Sequence, residues 1–150
     1  MPVPSVDFYV LEGSDARERL RFACQVINKA FEAEHRVLVC LDSATELTAL
    51  DDLLWTFAQD SFVPHEPLTP ASDWEETPVL LATSQSPPSP PDVLVNLAQV
   101  LPAAADSAAR VIEIIDTDDT RRQAGRVRFR QYRERGIEPQ THKLGAGAER

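Results

Sequence analysis

The sequence predicts an α/β fold, a single three-layer domain over residues 1–150 with a largely parallel central sheet. Three observations carry this. Short apolar runs rich in strand formers recur along the chain; segments with helical spacing of apolar residues alternate with them; and 150 residues at 43% hydrophobic and 26% charged can fill one core without disulfides or metal.

Residues 6–11 (VDFYVL) read as a buried strand. Gly13-Ser14-Asp15 follows as a turn in which Ser14 or Asp15 can cap a helix. Leu20, Cys24, Ile27 and Phe31 then recur at helical spacing, which predicts a helix over 16–34. Residues 36–41 (RVLVCL) close a βαβ unit as its second strand. Asp42 or Ser43 opens a second helix over 44–58, whose stripe is Leu47, Leu50, Leu54 and Phe57, with Leu53 at its edge. Trp55 points roughly 120° from the centre of that stripe.

Residues 64–91 hold eight of the 12 prolines and one apolar run, 79–82 (VLLA). The proline-rich stretch 84–91 (SQSPPSPP) cannot be helical, since proline lacks the amide donor, and is expected to be an extended, mobile loop. Its eight residues are too few for a helical crossover between adjacent parallel strands, so strand order in the second half stays open. Residues 93–97 and 111–115 (VLVNL and VIEII) are further strands, with room for a short helix between them. Asp118 or Asp119 can cap a last helix reaching Arg135, and Gly136 is placed to end it. Residues 140–150 show no pattern and are expected to form a loose tail.

The net charge of −9 conceals an asymmetry. Residues 121–135 (RRQAGRVRFRQYRER) contain seven of the 15 basic residues and one acid; the other 135 residues carry eight basic and 23 acidic groups. An acidic body repels a long polyanion and tolerates a short acidic one, which favours a local anionic partner over duplex DNA. No run of about 18 apolar residues is present, so no membrane-spanning helix is expected. The opening residues lack a basic segment and an apolar signal core, so the expected location is cytoplasmic.

Little in the chain suggests catalysis. The first strand–helix turn, LEGSDARERL, has one glycine, no GxGxxG and no phosphate loop, and its Glu12 and Asp15 would repel phosphate. His35, His65 and His142 lack a partner at i+4 and read as solvated or structural. Cys24 and Cys40 sit in apolar patterns and read as core. The carboxylates at Asp51, Asp52, Asp73, Glu75, Glu76, Asp116, Asp118 and Asp119 read as solvated surface. No catalytic residue, cofactor or metal is therefore expected.

The basic helix offers more. On a wheel, Arg122, Arg126, Phe129, Arg130 and Arg133 share a sector of roughly 100°. Arg121, Arg128 and Arg135 form a second stripe, with Tyr132 nearby. One reading is a solvated helix whose arginines pair with the acidic body. An apolar ring among guanidinium groups also suits an acidic peptide with an aromatic or apolar end. It would equally suit single-stranded nucleic acid, with bases on the ring and phosphates on the arginines.

Several segments together carry a resemblance: DFYVL, RVLVCLDS, LDDLLWTFAQDSFVPHEPL (50–68), DVLVNL and RVRFRQYRERG. Through them the chain resembles, nearly end to end, the chi subunits of bacterial DNA polymerase III holoenzyme, accessory proteins of the clamp loader. The resemblance implies a fold akin to nucleotide-binding domains, with no cofactor and no enzymatic activity of its own. It implies two partners: the acidic, phenylalanine-ended C-terminal tail of the single-stranded-DNA-binding protein, and the small psi subunit that ties chi to the clamp loader. Arg122, Arg126, Phe129, Arg130 and Arg133 would receive the tail, and Trp55 and Phe62 would meet psi. The proline content of 84–91 and the closing GAGAER depart from the family pattern.

Overall fold

The computed structural model describes residues 4–59 and 62–144. Seven strands form one parallel sheet: β1 (Ser5–Leu11), β2 (Val37–Cys40), β3 (His65–Pro67), β4 (Val79–Ala82), β5 (Val93–Asn96), β6 (Arg110–Ile115) and β7 (Gln140–Leu144), in the order β3-β4-β2-β5-β6-β1-β7. The helices are α1 (Ala16–Glu32), α2 (Ala44–Thr56) and α3 (Asp119–Glu134), with a 3-10 turn at Ala103–Asp106.

Each helix begins where a carboxylate or hydroxyl can meet its free amides. Asp15 accepts from Arg17 N, Ser43 from Glu46 N, and Asp118 from Arg121 N. Gly136, with φ +83°, turns the chain out of α3 in the left-handed region where a side chain would be strained. Gly125 has a different reason to lack one: a Cβ there would meet Ile115 side-chain atoms at 3.1 Å, so glycine lets α3 lie close on β6.

Two cores lie on the two faces of the sheet. On one, α1 and α2 bury Ile27, Leu50 and Leu54 against Val39, Leu81 and Val95. On the other, Tyr132 and half-buried Phe129 of α3 pack with Phe8, Leu38, Leu80 and Ile115. The two alternating faces of buried parallel strands make both possible. Cys24 and Cys40 are free thiols, one in each core.

Burial pushes both thiols up to about 12 from an ordinary 9.0. Iodoacetamide at pH 8 should therefore leave both unmodified in the folded chain and label both in denaturant. Because the folded values are raised, the stability linked to the neutral thiols is intact below about 9 and should be lost as pH rises towards 12. Rapid labelling of either thiol in the native state would show that its side of the core is open.

Two expectations are corrected. The tail forms β7 over Gln140–Leu144, paired in parallel with β1 (Tyr9 opposite His142), whereas 145–150 lie outside the described residues. The proline-rich region contributes β3 at His65–Pro67. The strand order that the sequence left open is resolved: β2 lies between β4 and β5, and the link that joins those two passes it without a helix. Within it, Trp74 Nε1 donates to Ser89 O at 3.0 Å and holds the segment against the domain. Among the described residues no helix is long and apolar enough to cross a membrane.

Candidate protein-interaction surfaces

The arginines of α3 divide by the face they occupy. Arg128 is 2% exposed; its Nε donates to Glu113 Oε1 at 2.9 Å and its Nη1 to Gln99 O at 2.7 Å. Glu113, on β6, is fully buried. It also accepts from Tyr132 Oη at 2.8 Å and from Asn96 Nδ2 at 3.1 and 3.2 Å. Burial raises the Glu113 pKa, and Arg128, Asn96 and Tyr132 oppose that rise. Burial and the Glu113 charge push the Tyr132 hydroxyl up, so it remains a proton donor in this network. Arg121 makes bonds of 3.0 and 2.8 Å to Asp116, which is itself buried. The reading of all carboxylates as solvated surface is thus corrected at Asp116, and Glu113 is a buried carboxylate that the sequence did not disclose.

A further buried arginine was also missed. Arg19 of α1 donates to Ile114 O at 3.1 Å and Leu97 O at 2.8 Å, across the carboxyl ends of β6 and β5. Desolvation, then repulsion from Arg121, lowers its pKa to about 10, which leaves it charged at neutral pH.

The outward stripe is different. Arg126 and Arg130 are exposed and make no hydrogen bond or ion pair among the described residues. Arg122 reaches exposed Asp119 at 3.4 Å through Nη2, and its Nε is buried without a partner. Arg133 meets Glu138 at 3.5 Å, with both side chains mostly exposed. Phe129 sits half-buried between the arginines, its ring 5.3 Å from Phe8. One edge of the ring is anchored in the core and the rest remains available. The structure therefore brings Arg122, Arg126, Phe129, Arg130 and Arg133 onto one open face, while Arg121 and Arg128 are occupied internally.

A second surface lies at the end of α2. Trp55 is 48% exposed and Phe62 64%, with ring centroids 5.5 Å apart. Trp55 leans on His65 at 4.3 Å. His65 is buried beneath it, its Nδ1 2.6 Å from Val63 O and its Nε2 3.0 Å from Asp51 Oδ1. Both ring nitrogens thus face oxygen, which fixes the platform under Trp55. Two adjacent exposed aromatics on a braced base make an apolar patch of the kind that anchors a protein partner. His142, expected in a loose tail, instead lies in β7, stacked on Tyr9 and 2.9 Å from Asp7 Oδ1. No group of three or more histidine, cysteine or acidic side chains could hold a metal ion among the described residues.

Residues 3–140 match the family described as "DNA polymerase III chi subunit, HolC". The chain is 37% identical over 140 residues to the DNA polymerase III subunit chi of Pseudomonas aeruginosa, covering 93% of this chain and 96% of that one. It is 26% identical over 139 residues to the Escherichia coli K12 chi subunit, covering 89% and 94% respectively. Among solved structures, T4 UvsW matches at 10% identity with a TM-score of 0.63. A DEAD box protein from Methanococcus jannaschii matches at 14% identity with a TM-score of 0.60. In each case 93% of this chain lies on 42% of the other, a likeness of fold alone.

Proposed function

Because the chain belongs to the DNA polymerase III chi-subunit family and so is a replication accessory subunit, we propose that it is a non-enzymatic adaptor that binds the acidic C-terminal tail of single-stranded-DNA-binding protein on α3 and links it to the clamp loader. The observation that carries this reading is the division of the α3 arginines. Those turned inward are neutralised by Glu113 and Asp116, whereas the Arg126 and Arg130 side chains have no partner among the described residues and flank a half-exposed phenyl ring. Guanidinium groups offer bidentate contacts to side-chain and terminal carboxylates, and Phe129 offers a seat for an aromatic end. Trp55 and Phe62 form the apolar surface for the psi subunit, on a different element from the tail site. Two separate surfaces are what a linker between two proteins needs.

A titration of labelled peptide tests the tail site. An acidic peptide ending in phenylalanine should bind, and Arg126→Ala should weaken it by about 1–3 kcal/mol, the worth of a hydrogen bond to a charged group. Phe129→Ala should cost a comparable amount through lost apolar contact. Binding should weaken with salt, and a peptide without its terminal ring should bind much less well. Equal affinity for the truncated peptide would leave α3 as a generic polyanion surface. Tighter binding of single-stranded DNA than of the peptide, at both of two salt concentrations, would favour direct nucleic-acid binding instead.

A further inference from the structure

A cavity of about 220 Å³ opens between the second half of α1 and the amino ends of β5 and β6, on the sheet face opposite α3. Its floor is apolar, formed by Tyr9, Phe22, Val26 and Ile112. Its rim carries two cations, Lys29 and Arg110, with the His35 imidazole beside them. The Lys29 ammonium and the His35 ring make no hydrogen bond or ion pair among the described residues. Arg110 engages Asp7 through Nε alone, at 3.1 Å, and its side chain keeps 45% exposure. Asp7 is the acid facing this rim from β1, and its other oxygen is taken by His142 of β7. Asp92, beside β5, accepts from the backbone amide of Arg36 at 2.8 Å. On a chain of net charge −9, a pair of cations at the rim of an apolar slot is a local reversal.

We propose that this cavity binds a small monoanionic carboxylate with a compact apolar body. The body fills the slot over Ile112 and Val26, and the carboxylate meets Lys29 and the free end of Arg110. Partial burial of the ligand strengthens the charge contact relative to open water. The carbonyl pole of α1, which ends here at Ala33, opposes any anion and opposes a dianion twice as strongly, so a single carboxylate offset by Lys29 and Arg110 is favoured. A neutral ligand would gain nothing from the rim. The size suits a phenyl ring or a short acyl chain rather than a nucleotide.

The test is an NMR titration of the full chain with 4-phenylbutanoate and with the uncharged 4-phenylbutan-1-ol. The acid should give saturable shifts at Val26, Lys29, Ala33 and Ile112, and should bind about fivefold more tightly than the alcohol. Lys29→Glu should erase that preference, and Ala33→Trp, which fills the mouth, should weaken both. The proposal falls if acid and alcohol bind alike, if no saturable shifts appear, or if Ala33→Trp changes nothing. An acidic peptide with a terminal phenylalanine should leave the shifts in place. If it displaces the acid, the cavity belongs to that peptide and the small-ligand assignment is overturned. Arg126→Ala, which tests the α3 site, should leave the acid's affinity unaltered, so the two readings fail separately.

Discussion

Arg128→Ala should destabilise the protein by about 3–5 kcal/mol, the cost of leaving a buried charge without its partner. For a domain of this length that is a fall in melting temperature of about 6–20 °C. Glu113 has no water to turn to, and Asn96 and Tyr132 alone would then face its charge. The deficit should depend on pH. Without Arg128 the Glu113 pKa in the folded state rises further above its unfolded value. Stability is then retained where the carboxyl is protonated and lost as pH rises through the folded pKa. The deficit measured by urea denaturation should therefore be smaller at pH 5 than at pH 8. Arg126→Ala, on the open face of the same helix, should stay within about 0.5 kcal/mol of the parent. Similar losses for the two variants would mean that α3 is not divided as described.

Leu54→Ala should cost about 2–5 kcal/mol, since Leu54 is fully buried among α1, α2 and the sheet. Its neighbour Trp55 should behave in the opposite way. Trp55→Ala removes a half-exposed ring tilted against His65 and Phe62, and should cost clearly less stability than Leu54→Ala. It should weaken binding of the psi subunit by at least about 2 kcal/mol, as loss of a central aromatic anchor does. Thermal melts and a pull-down with purified psi would separate the two effects. A melting-temperature loss for Trp55→Ala as large as that for Leu54→Ala would make Trp55 a core residue and remove the surface.

Helices α1 and α2 were legible because each combines an apolar stripe with a capping side chain, Asp15 and Ser43, and α3 because Asp118 can cap it and Gly136 can end it. The exposed position of Trp55 and the outward arginine stripe were legible for the same geometric reason. Strands β3 and β7 were not. His65–Pro67 is only three residues long, and Gln140–Leu144 lies at the sheet edge, where no second core demands a hydrophobic pattern. Glu113 was hidden inside VIEII. Its partners Asn96, Arg128 and Tyr132 come from two other elements, so only the assembled fold brings them together. The same holds for the cavity rim, whose Lys29, His35 and Arg110 are scattered along the chain.

The placement of β1 between β6 and β7 has a consequence for biogenesis. Ser5 pairs with Arg110 and Asp7 with Gln140, so β1 finds no sheet partner until the distant β6 and β7 have followed it. At ordinary elongation rates the apolar segment Val6–Leu11 waits about 5–20 s before β6 is even synthesised. Closing the sheet therefore waits until β6 and β7 have been made. Pairings of such long sequence separation also make closure slow once it starts. During that interval an unpaired hydrophobic strand is open to chaperones and to like strands on neighbouring chains, and a transcript that stops before β6 yields a product that cannot bury it.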